Sequence, residues 1–280
     1  MKKRNTLRSF RMLLFYVALI VFLLALLFPL YWMLLTSLRP DGKVMSYPPD
    51  FLPTGGGFHA YSRVFSRTLV SRWFLNSIYV TANTLLLAIP LSALMGYALS
   101  RYQMARVRTV GYLLLLAKML PATLLVIPLY VVFKQLRLLN NLFGLVVANT
   151  TFVIPFSTWM LKGFFDGIPK ELEQSAQIDG CGILGAFVRV IVPLSLPGLA
   201  ATAVYCAVLA WGEYVFAVTF MTKETGWTAA VGVVSFMGQY VVRWNDIMAA
   251  CLVFTMPVMI VFALLQKYLV GGLTRGGVKA

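Results

Sequence analysis

Lys118 and Glu213 stand inside otherwise neutral apolar runs, and a further group of charges gathers between Asp166 and Pro197, which holds four of the chain's nine acidic residues. An ion in hydrocarbon is costly unless it is paired, reaches the interface or faces a wet cavity, so Lys118 and Glu213 are candidates for a solute pathway or for helix contacts. Trp211 and Tyr214 flank Glu213 with aromatic faces, and Asn149, Thr150 and Trp159 add amide, hydroxyl and ring surfaces. Those types suit the C–H faces and hydroxyls of a sugar, although interfacial aromatic belts use the same residues. Bond-making chemistry has little to work with. The single histidine, His59, lacks companions for a metal, and Cys181, Cys206 and Cys251 are scattered. There is no aspartate pair on one helix face and no G-x-x-x-x-G-K-[ST] nucleotide loop.

The elements that must position these groups follow from composition. The chain has 280 residues, 60% hydrophobic and 12% charged, about half the charge density of a soluble domain. That excludes disorder, a disulfide scaffold and a soluble globule, and points to an all-α integral membrane protein. The net charge of +15 reads as lysine and arginine kept in cytoplasmic loops beside anionic headgroups rather than as a nucleic-acid surface. Long neutral stretches place six spans near 13–36, 77–100, 109–133, 142–161, 198–221 and 247–267. The first follows Lys2, Lys3, Arg4, Arg8 and Arg11 like a signal peptide, but it is too long and has no small-residue cleavage pattern, so it is expected to be retained. Six spans put both termini in the cytoplasm, with Arg101, Arg106 and Arg108 in one loop and Lys267, Arg275 and Lys279 at the end. Residues 225–242, rich in glycine, threonine and serine, read as an external interfacial or re-entrant piece. No internal repeat is visible.

The Asp166–Pro197 segment carries ordered helix punctuation. Pro169 suits a first turn, Glu171 and Glu173 favour the positive end of a helix dipole, and Gly180 and Gly182 can end the helix in a left-handed conformation. A second amphipathic helix follows, with Ile183, Leu184, Phe187, Val190 and Ile191 at helical spacing before Pro193 and Pro197. Such a pair can simply cover the cytoplasmic end of the bundle, or it can be built for a partner.

The run Gln174-Ser175-Ala176, with Gly180 four positions on and then Val190, Val192 and Pro193, resembles the EAA loop of ABC importer permeases. Asp179 and Pro197 resemble the carbohydrate-uptake branch, and the family resemblance extends along most of the chain, including Asn76-Ser77, Leu120-Pro121, Trp211-Gly212-Glu213 and the tail Gly272 to Lys279. The chain most resembles the shorter permease of sugar importers. This resemblance implies a type I permease: a cytoplasmic tail at 1–12, a permease domain at 13–270 containing the loop 166–197, and a tail at 271–280. It implies a bacterial plasma (inner) membrane location, a second permease subunit, two ATPase subunits and an extracytoplasmic solute-binding protein, with no cofactor on this chain and ATP and Mg used by the ATPases. It makes Glu171 to Asp179 a coupling helix, with Glu171, Glu173, Gln174, Ser175, Ala176, Asp179, Gly180 and Pro193 its working residues. Gly180 is expected where a Cβ would clash. Gln174 replaces the usual glutamate, so Glu171 or Glu173 is expected to supply the nearby carboxylate. The segments 37–76 and 222–246 are candidates for meeting the binding protein.

Other classes remain at this point. A polyol or glycerol-phosphate cargo fits the same residues, and a secondary transporter also needs polar groups at the midplane, although the missing repeat and the small size speak against it. A membrane enzyme finds no catalytic set here.

Overall fold

The computed structural model describes residues 2–52, 55–102, 104–238 and 242–276, with side chains described in those ranges between residues 10 and 266, Arg67 excepted. The terminal basic residues Lys2, Lys3, Arg4, Arg8, Lys267, Arg275 and Lys279, and the tail motif from Gly272, fall outside the described side chains. The helices are α1 (Lys2–Leu38), α2 (His59–Arg67), α3 (Val70–Arg101), α4 (Ala105–Met119), α5 (Ala122–Gln135), α6 (Leu142–Asp166), α7 (Lys170–Ile178), α8 (Ile183–Ala186), α9 (Val192–Leu194), α10 (Leu196–Trp211), α11 (Val215–Phe220), α12 (Ala229–Ser235) and α13 (Trp244–Gly276). A π-helical turn, Phe187–Ile191, joins α8 to α9. Among the described residues the protein is all-α, with one isolated bridge between Met237 and Val242.

Four helical stretches are long and apolar enough to cross a bilayer: Phe10–Leu38, α3, α6 and Trp244–Gln266. Two more spans are bent. Helices α4 and α5 meet at 104°, and Ile183–Leu194 meets α10 at 79°, giving six spans if each pair counts as one. The third span, expected as a continuous 109–133, is therefore broken. Pro121 has no N–H to extend α4, and it pushes Leu120 into an extended conformation (φ −74°, ψ 124°). The fifth, expected at 198–221, ends its helix at Trp211. There the Glu213 carboxylate accepts the N–H groups of Phe216 (2.7 Å) and Ala217 (3.0 Å) and starts α11 afresh. Among the described residues of 225–242, the one α-helix is the seven-residue α12, too short to span.

The helices divide into two compact units. One comprises residues 1–68 and 235–254. Its centre is the guanidinium of Arg63, which pairs with Asp246 at 2.6 Å and Asp41 at 2.8 Å. The Asn245 amide donates to Asp41 as well. That amide and then Arg63 hold the Asp41 carboxyl below the usual carboxylate range. Residues 10–28 of α1 are exposed throughout, as suits an apolar helix in lipid.

The other unit comprises residues 69–234 and 255–280, and its main pairing is α3 against α6. Val80, Thr84, Ala88, Ser92 and Gly96 recur every four residues on α3 and are all buried. Small side chains on one stripe let two helix backbones approach, which is how apolar helices gain packing where water drives nothing. Gly96 is the tightest point: a Cβ there would lie 2.9 Å from the Thr158 carbonyl oxygen and 3.1 Å from the Lys162 nitrogen. Asn83 donates to Tyr79 of its own helix at 2.8 Å, not to a neighbour. At the start of α3, Asn76 donates to the carbonyls of Thr225 (3.0 Å) and Trp227 (2.8 Å), and the Ser77 hydroxyl accepts from the Ala229 N–H (2.8 Å). These bonds fix the 224–229 segment onto α3.

Candidate functional site

Helix α7 is nine residues long, about 13 Å at 1.5 Å per residue. Pro169 precedes it at φ −55°, ψ 134°, and Glu171 and Glu173 occupy the first turn, where the helix dipole favours negative charge. Its far end closes as a Schellman motif. The Gly180 N–H bonds the Gln177 carbonyl (3.1 Å) and the Cys181 N–H bonds the Ala176 carbonyl (2.9 Å), with Gly180 at φ +89°. The expectation that a Cβ would clash at Gly180 is not met, because nothing lies within 4 Å of that position. The constraint is the backbone angle itself, which L side chains disfavour by about 1–2 kcal/mol. Gly182 departs from expectation too: at φ −69°, ψ 169° it is extended and needs no glycine.

One residue of α7 turns inward. The Glu173 carboxylate pairs with the Arg101 Nε at 2.8 Å, with both side chains under a tenth exposed, and it accepts the Tyr97 hydroxyl. Arg101 also donates to the carbonyls of Phe165 (3.1 Å), in the last turn of α6, and Ile168 (3.2 Å), two residues past its end. One guanidinium thus ties the end of α3, the end of α6 and the first turn of α7. Beneath it Tyr97 and Phe165 pack with Ala93, Leu161, Phe187 and Ile191. The Tyr97 and Phe187 rings pack tilted at 47°, with centroids 4.7 Å apart. Phe187 and Ile191 come from the segment after Gly180, so both sides of α7 are anchored to the same cluster.

The outward face of α7 is free of the bundle. Glu171, Gln174, Ser175, Gln177 and Asp179 are exposed, Ala176 is half-buried, and Ile178 is 85% exposed. The Ser175 hydroxyl donates to the Glu171 carbonyl of its own helix (2.9 Å). Of the two carboxylates proposed to stand in for Gln174, Glu173 is the one held in an ion pair. Beyond the glycines, Phe187 and Ile191 are buried, while Ile183, Leu184 and Pro193 are exposed.

The residues expected to line a pathway do not form one cluster. Asn149 is buried and donates to the Leu145 carbonyl of its own helix (3.1 Å), and the neighbouring Thr150 hydroxyl is buried without a partner. Trp159 lies ten residues on, about 15 Å along α6, with its indole N–H on the Gly111 carbonyl (3.1 Å). Trp211 packs edge-on against Phe74 at 5.5 Å, Tyr214 is partly exposed, and Glu213 caps α11. Lys118 lines a recess at the α4–α5 break with Pro121, Thr151 and Pro155. Sequence reasoning missed Arg101 and Tyr97 as anchors of α7. Their signal was an arginine closing a long apolar run, but choosing its partner required the rotation of α7.

Residues 88–275 match the family model described as "Binding-protein-dependent transport system inner membrane component". The chain is 33% identical over 264 residues to the sulfoquinovosyl glycerol transport system permease protein SmoH of Agrobacterium fabrum, covering 94% of this chain and 93% of that one. It is 32% identical over 265 residues to the diacetylchitobiose uptake system permease protein DasC of Streptomyces coelicolor, covering 94% and 95%. Among solved structures, a bacterial ABC transporter involved in import of the acidic polysaccharide alginate contains a chain of the same fold. Its TM-score is 0.75 at 24% identity, covering 91% of this chain and 95% of that one.

Proposed function

The chain belongs to the family of binding-protein-dependent transport system inner membrane components, and from that premise we propose that it carries a sugar or oligosaccharide across the bacterial inner membrane, with α7 as the helix that receives the ATPase stroke. It is a multi-pass ABC importer permease subunit, a translocation component. The relatives that take sulfoquinovosyl glycerol and diacetylchitobiose, both glycosides, support a sugar cargo.

The observation that carries the coupling role is the division of labour on α7: one buried ion pair fixes it to the ends of α3 and α6, while the rest of its surface stays open to a partner. A helix held in that way moves with the spans when it is pushed, so closure of two ATPase subunits reaches the membrane as a displacement of packed elements. ATP binding then favours an outward-open state through differential contacts at α7. In this reading α7 and both termini face the cytoplasm, a second permease subunit completes the pathway, and a binding protein delivers solute from outside. ATP and Mg are used by the ATPases, and this chain binds no cofactor.

Co-purification in mild detergent from the native membrane tests the assembly, followed by ATP-dependent uptake of labelled disaccharides and oligosaccharides into vesicles. An attached ATPase and saturable uptake of one saccharide are expected. A lone chain that transports on an ion gradient would overturn the reading. Uptake of a polyol or glycerol-phosphate in place of a saccharide would overturn the cargo alone.

A further inference from the structure

At the end of the bundle where α3 and α6 finish and α4 begins, Leu99, Tyr102, Arg108, Tyr112, Trp159 and Lys162 enclose a recess of roughly 360 Å³. We propose that this recess binds the headgroup of one anionic phospholipid. The cations belong to different helices. Lys162 is shared with Asp166 four residues on, at 2.5 Å, whereas Arg108 has no carboxylate partner among the described residues. Arg101, which ends α3 beside Tyr102, is already neutralised by Glu173. The pocket therefore carries uncompensated positive charge. The hydroxyls of Tyr102 and Tyr112 add donors that suit phosphate oxygens.

Depth separates a lipid from a dissolved anion. Arg108 lies three residues inside α4, Lys162 lies four residues before the end of α6, and Tyr102 directly follows α3. All three stand within about one turn of helix ends on the same side of the bundle, which is the headgroup level of a bilayer. Toward the apolar part of these helices the wall becomes Leu99, Tyr112 and the Trp159 ring, with its N–H committed to Gly111. A phosphate at the rim and an acyl chain along that wall match an anionic lipid. Basic pockets between spanning helices bind such headgroups.

Native mass spectrometry tests this on the importer complex exchanged into micelles holding equal amounts of phosphatidylglycerol and phosphatidylcholine. Retention of phosphatidylglycerol over phosphatidylcholine is expected, and Arg108→Gln should lower it about fivefold, the contribution of one cation near an anionic surface. Arg106→Gln, an exposed arginine outside the recess, should leave retention unchanged. Lys162→Gln provides a second variant on another helix and should also lower it. Equal retention of the two lipids, or equal effects of Arg108→Gln and Arg106→Gln, would overturn the proposal. Displacement of the lipid by an equal concentration of glycerol phosphate would overturn it in favour of a soluble anion. The readout involves neither solute nor ATP, so its failure leaves the transport reading intact.

Discussion

Removing one partner of the Arg101–Glu173 pair should cost far more than removing both. Each side chain is under a tenth exposed, so Arg101→Met leaves a buried carboxylate with only the Tyr97 hydroxyl to satisfy it. Glu173→Met strips Tyr97 of its acceptor and leaves the guanidinium on two carbonyls. The Glu173 carboxylate receives two charge-assisted bonds, one from Arg101 and one from Tyr97. At about 1.5–3 kcal/mol each, their loss agrees with the roughly 3–5 kcal/mol measured when one member of a buried pair is deleted. Replacing both by methionine leaves no buried charge and should recover much of the loss, so the coupling energy should exceed the cost of either single variant, about 3–5 kcal/mol. Reversible unfolding in mixed micelles reads the global term. Hydrogen exchange of the α7 amides reads the local one, which should open first because α7 makes few other contacts with the bundle. Both single variants should also uncouple ATPase activity from uptake. Singles within about 1 kcal/mol of the parent, or a double variant as unstable as the sum, would refute the claim that this pair holds α7 in place.

Three further outcomes follow from the geometry. Gly180→Val should reduce substrate-stimulated ATPase and uptake, and Gly180→Asn should retain more of both, because asparagine tolerates the +89° backbone and a β-branched residue does not; identical activity of the two in reconstituted vesicles would show that the angle is unimportant. Gly96→Leu should destabilise the α3–α6 pairing by about 1–3 kcal/mol or more, since the added side chain meets backbone rather than a flexible tip, and thermal unfolding in detergent checks it. The folded Asp41 carboxyl lies below its ordinary value of 3.8, so its contribution is complete above that pH and is lost as pH falls through the lower folded value; protease protection of residues 41–66 should fall on acidification, and Asp41→Asn should flatten that dependence.

Length, neutral runs and proline positions were enough to establish an all-helical membrane chain with six spanning regions, because hydrocarbon thickness and backbone hydrogen bonding leave few alternatives. The spacing around Gly180 likewise located a short helix with a left-handed stop, since capping is a local property that neighbouring residues encode. Breaks were less legible. Leu120-Pro121 was in view, yet a proline inside a span can kink a helix or end it, as Pro29, Pro90, Pro128, Pro155 and Pro257 show by remaining within theirs. Glu213 read as a candidate for a pathway or for helix contacts because its sequence neighbours are apolar, and only the fold revealed the two N–H groups that it caps. The choice of Glu173 over Glu171 as the buried acid depends on which face α7 turns toward Arg101, 72 residues away in sequence. The sequence by itself determined which segments are helical and the left-handed stop at Gly180; tertiary structure decided where the third and fifth spans break and which charges meet, because a pair so distant in the chain is fixed by packing and not by any local preference.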